Sequence, residues 1–186
     1  EAEGAKVIEA PSIKIVPPET YAPLDEAIKN IHTYKWLVLT SANGVKAFFA
    51  RLDHAGLDAR ALAGVKIAAI GCGTAKALQS CGVKADLVPC TYKAEEALAP
   101  QLEKGDKVLI PRAKEAREVL PETLRRLGAE ADVITAYETA AVCENAAALM
   151  EALQNKEVDM VTFTSSSTVT NFLKVLGGSK ELLEGV

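Results

Sequence analysis

Histidine is almost missing. His32 and His54 are the only two in 186 residues, which leaves few nitrogen ligands for a metal and few imidazoles for proton transfer. The four cysteines, Cys72, Cys81, Cys90 and Cys143, contain no CxxC pair, so free thiols are expected and no metal site is. Long apolar runs are missing as well. Nothing approaches the ~18 residues of a membrane span, and no charged segment leads into an apolar stretch near the start. No membrane association is expected, and the location is read as cytoplasmic. Finally, no basic stripe exists. The 21 Lys and Arg are scattered among 25 Asp and Glu, for a net charge of −4, which argues against nucleic acid as a partner.

What is present is an ordinary globular composition, 49% hydrophobic and 25% charged, arranged in an α/β rhythm. The apolar runs Lys6–Ile8, Ile13–Val16, Trp36–Leu39, Lys66–Ile70, Lys107–Ile110, Val133–Ala136 and Met160–Phe163 read as strands. Between them, Leu24–Ile31, Val45–Leu52, Thr74–Cys81, Ala94–Leu102, Arg117–Leu127 and Ala146–Leu153 carry helical spacing or helix-forming composition. Parallel sheets flanked by helices are the expected fold.

The chain also echoes itself. Displaced by 124 positions, Thr40-Ser41 overlies Thr164-Ser165, and Val45, Phe48, Phe49 and Leu52 overlie Val169, Phe172, Leu173 and Leu176. Displaced by 121, Leu62-Ala63-Gly64-Val65 resembles Leu183-Glu184-Gly185-Val186. The repetition implies two similar α/β domains. Residues 18–130 form the complete, inserted one; residues 1–10 and 142–186 form a discontinuous, incomplete one; 11–17 and 131–141 are linker strands. On this reading the chain is truncated at both ends. Glu1–Gly4 resembles a helix end that a strand and helix should precede, and the second copy stops before the strand and glycine-rich turn that follow the first.

Several turns carry candidate chemistry. Ser41 before one helix, and Ser165 and Ser166 before its counterpart, place hydroxyls and free backbone N–H groups at strand ends, where anions are held well. Gly71-Cys72-Gly73-Thr74 joins a strand to a helix but has Lys76 where a dinucleotide-binding turn needs its third glycine; its amides and the Thr74 hydroxyl suit a carboxylate. Arg112 and Arg117 sit where a strand gives way to a helix. Cations there oppose the helix dipole, which favours an anion-binding role over decoration. Tyr137 lies in the extended segment Val133–Thr139, and a phenol that bears its proton at neutral pH is the leading acid candidate in a chain so poor in histidine.

Five segments, Trp36–Val45, Ile67–Ala75, Arg117–Pro121, Ala136–Thr139 and Thr162–Ser165, occur in the order and spacing found in uroporphyrinogen-III synthases, and the chain resembles that family over nearly its whole length. The resemblance implies two α/β domains joined by a two-stranded ladder, with the active site in the cleft between them, a monomer, and no cofactor. It implies cyclisation of hydroxymethylbilane to uroporphyrinogen III, with inversion of the last pyrrole ring and loss of water. By the same resemblance Tyr137 matches the proposed acid, while Ser41, Thr74, Ser165 and Ser166, with Arg112 and Arg117, match substrate-binding positions. Ala113 departs from the pattern, since many members have glycine after the arginine. Two other readings share the residues: a nucleotide-binding oxidoreductase using the Gly71 turn, and a non-catalytic two-domain anion-binding protein.

Overall fold

A computed structural model describes residues 4, 6–11, 13–89, 94–142, 146–163, 166–177 and 180–185. The chain divides into two compact units, one of Val16–Glu138 and one of Glu1–Ile15 with Thr139–Val186. Strands β1 (Ile13–Val16), β2 (Trp36–Leu39), β3 (Lys66–Ala69), β4 (Lys107–Ala113) and β5 (Glu130–Ala141) form a sheet in the order β1-β5-β4-β2-β3. β2 runs parallel to both β3 and β4, and β4 runs parallel to β5.

In the larger unit the reason for the uninterrupted apolar strands is that both sheet faces are covered. Leu37, Leu39, Ile67, Ala69 and Leu109 pack with Leu24 of α1 (Ala22–Lys29), Val45 and Phe48 of α2 (Ala42–His54) and Leu78 of α3 (Cys72–Ser80). Trp36, Val38, Ala68, Val108 and Ile110 face the other way, onto Leu98 of α4 (Ala94–Leu98) and Leu120 and Leu124 of α5 (Val119–Arg126). Each large aliphatic side chain so buried contributes on the order of 1.5–3 kcal/mol. The parity of a residue within its strand thus decides which face it serves, and this rule carries through to the site.

In the smaller unit α6 (Ala146–Gln154) and α7 (Ser166–Val175) pack through Leu149, Leu153, Phe172 and Leu176. Phe163 stands edge-on to Phe172 with ring centroids 5.2 Å apart. α7 begins at Ser166 as α2 begins at Ala42, and a 3-10 turn spans Lys180–Leu183 as another spans Ala59–Leu62. The helical parts of both echoes therefore recur as helices.

Three expectations change. Lys6–Ile8 and Met160–Phe163 are not strands. A strand is defined by its ladder, which apolar composition does not supply, and neither segment joins one among the described residues; Met160 is in fact exposed. The helix expected over Ala94–Leu102 ends at Leu98 and tightens into a 3-10 turn at Ala99–Gln101. Pro100 has no N–H to give to an α-helical bond.

Candidate functional site

From β2 the sheet extends to β3 on one side and to β4 on the other, so strand order reverses between β2 and β4. In open parallel sheets the crevice at the carboxyl ends of strands at such a reversal is the usual ligand site. Here those ends carry Thr40 and Ser41 after β2, and Arg112 and Ala113 closing β4. Gly44 lets α2 come close to this edge. A Cβ at that position would stand 3.2 Å from the Pro111 carbonyl oxygen and 3.3 Å from the Ser41 hydroxyl.

Ser41 caps α2, its Oγ accepting from the Gly44 N–H at 3.0 Å. The same Oγ lies 2.9 Å from the Tyr137 hydroxyl. What brings Tyr137 there is an irregularity in the β4–β5 ladder. Arg112 pairs with Thr135 but Ala113 pairs with Tyr137, so Ala136 is an extra residue. In a regular strand Tyr137 would share a face with Ala131 and Val133, which pack against α4 and α5. The bulge turns it to the opposite face, where Ile134, Ala136 and Ala113 also pack. Tyr137 is 9% exposed, held by packing around the ring and by Ser41 at its tip.

Arg112 continues the parity of Val108 and Ile110 and so belongs to the other face. It is buried, 6% exposed, and its Nη1 donates to the Arg117 carbonyl at 2.7 Å. Its Nη2 donates to the Glu118 carboxylate. Burial first, and the nearby Arg125 second, draw its pKa below the ordinary arginine value. A pocket of about 230 Å³ lies beside it, lined by Thr40, Glu95, Arg112, Ala116, Arg117, Val119 and Leu120.

The candidate residues thus fall into groups. Ser41 and Tyr137 are joined, and so are Arg112 and Arg117, on opposite faces of one sheet. Thr74 sits in the first turn of α3 and is 4% exposed; the turn before it begins at Gly71, whose φ of 88° favours glycine. Ser165 lies outside the described residues, and Ser166 is described only as the first residue of α7. Cys72 and Cys81 are free thiols, while Cys90 and Cys143 lie outside the described residues. Among the described residues no cluster of three or more His, Cys, Asp or Glu could hold a metal ion, and no helix is long and apolar enough to cross a membrane. Glu118 and Thr40 escaped notice as site residues although both stand in the matched segments. Helical or strand spacing does not signal a loop that folds back on its own arginine.

Comparison with known proteins adds an independent line. The family model described as uroporphyrinogen-III synthase HemD matches residues 1–186. The uroporphyrinogen-III synthase of Synechococcus elongatus is 36% identical over 181 residues, an alignment covering 96% of this chain and 68% of that protein. The porphyrin biosynthesis protein HemD of Ruminiclostridium josui is also 36% identical, over 91% of this chain, which spans only 34% of that protein's length. Among solved structures, a crystal structure of a mutant uroporphyrinogen III synthase from Thermus thermophilus superposes with a TM-score of 0.64 at 21% identity, covering 94% of this chain and 69% of its own. That likeness concerns the fold, a central sheet flanked by helices. With a family model matching end to end and a relative this similar over most of its length, the chain belongs to the uroporphyrinogen-III synthase family.

Proposed function

We propose that the protein closes hydroxymethylbilane to uroporphyrinogen III, with inversion of the last ring and loss of water, and that Tyr137 is the proton donor. Family membership supports the reaction, and the bulge that turns Tyr137 toward Ser41 supports the residue. The chemistry asks for protonation of the departing hydroxyl, which leaves as water and generates an electron-poor azafulvene. The last ring then attacks through its substituted carbon. Ser41 has a defined part in this. One lone pair of its Oγ is engaged by the Gly44 N–H, and its own O–H can be donated to the Tyr137 oxygen, leaving the tyrosyl proton free for the substrate. Substrate carboxylates are met by backbone N–H groups at helix starts such as those of α2 and α3, and Ser165 and Ser166 are further carboxylate-binding candidates. Neutral dipoles of this kind let a protein of net charge −4 hold a polyanion. The reading carries with it a cytoplasmic monomer working without metal or cofactor.

The test is Tyr137→Phe in the full-length protein at matched thermal stability, with type I and type III products separated by chromatography. We expect ring closure to slow by about 10²–10⁴ with substrate affinity largely kept. Type I isomer, which forms without an enzyme, should then appear. An unchanged rate with pure type III product would reduce Tyr137 to a packing residue.

A further inference from the structure

On the sheet face away from Tyr137, the pocket of about 230 Å³ joins a buried cation to an aliphatic wall of Ala116, Val119 and Leu120. The Arg112 side chain is 7% exposed, and its one anionic partner among the described residues, Glu118, is a surface group whose side chain is 55% exposed. The other bonded group is a neutral carbonyl, that of Arg117. The Arg112 Nε is buried and meets no acceptor among the described residues. This guanidinium is under-compensated, and it sits at the point where strand order reverses between β2 and β4.

We propose that the pocket binds one aliphatic carboxylate arm of the substrate, and that Glu118 is a resident carboxylate which the arm displaces from Arg112. The inference rests on the cyclisation reading for the identity of the arm. The wall suits its methylene groups, and Arg117 and Thr40 line the same space. Exchange of one carboxylate for another keeps the buried arginine paired throughout, whereas an empty site would leave a desolvated charge alone. Glu95 also lines the pocket.

Propionate is the probe, with propionamide as its uncharged match, and the readout is the Arg112 Nε–H resonance of the full-length protein, assigned by its loss in Arg112→Lys. We expect a saturable shift with propionate and none with propionamide. In Glu118→Gln, which no longer competes, half-saturation should fall about tenfold; Glu118→Asp, one methylene shorter, gives the same comparison if the first variant does not fold. An equal response to both probes, no response, or half-saturation unchanged by either substitution overturns the proposal. Turnover of hydroxymethylbilane without the propionate response sinks this inference and leaves cyclisation standing. The propionate response without turnover does the reverse, supporting a carboxylate pocket and removing the cyclisation reading.

Discussion

Ser41 serves two masters, the helix it caps and the tyrosine it holds. Ser41→Ala should therefore show two separable losses. Urea denaturation should reveal about 1 kcal/mol of lost stability from the missing cap. The cyclisation rate should fall further than that loss explains, through kcat more than KM, because Tyr137 is no longer oriented. Ser41→Thr keeps a hydroxyl for both tasks and should recover most of each; equal rates in the alanine and threonine variants would confine Ser41 to capping. Only half of this was legible in the sequence. A hydroxyl directly before an amphipathic run announces a cap, but its pairing with Tyr137 depends on a ladder irregularity at Ala136 that no periodicity records.

Among elements, α1 and α2 are tied by a two-pronged contact: Arg51 Nε and Nη2 each donate at 2.7 Å to the two oxygens of Asp25. The Arg51 guanidinium also lies 4.7 Å from the centre of the Tyr21 ring. The hydrogen bonds from Arg51 hold the Asp25 carboxyl below its usual range. The contribution of the pair is thus present above the unfolded aspartate value of ~4 and lost as pH falls through the folded one. Asp25→Asn should cost about 0.5–1 kcal/mol at neutral pH, and chemical denaturation should show the difference from wild type closing in strong acid. A difference that persists there would assign the loss to packing. At alkaline pH the sign reverses at another tie. Tyr34, buried and donating to Asp132 at 2.7 Å, is pushed well above the ordinary tyrosine value by burial and then by that carboxylate. Its contribution holds below the unfolded value of ~10 and declines as pH rises past it, so Tyr34→Phe should flatten the alkaline loss of stability. The elements themselves were largely legible, since strand and helix runs in the larger unit match their spacing; the ties between them join residues as far apart as Tyr34 and Asp132 and left no local signal.

Across the whole molecule, burial is unequal. The described core of the smaller unit rests on Leu149, Leu153, Phe172 and Leu176, whereas the larger unit buries two clusters on a shared sheet. Amides of α6 and α7 should exchange with deuterium sooner than those of β2 and β4; comparable protection in the two units would refute this. Alternating strand and helix runs revealed the fold class, but the order of strands in the sheet was not legible, because apolar runs buried on both faces do not say which run lies beside which. That order has a consequence in time. The interior strand β2 ends at Leu39, yet its partner β4 begins only at Lys107. At a synthesis rate of ~5–20 residues per second, the ribosome leaves one side of Trp36–Leu39 waiting for on the order of several seconds. During that interval a bare strand edge made of tryptophan, leucine and valine is available to any other chain, so the nascent protein should depend on chaperone cover until β4 emerges.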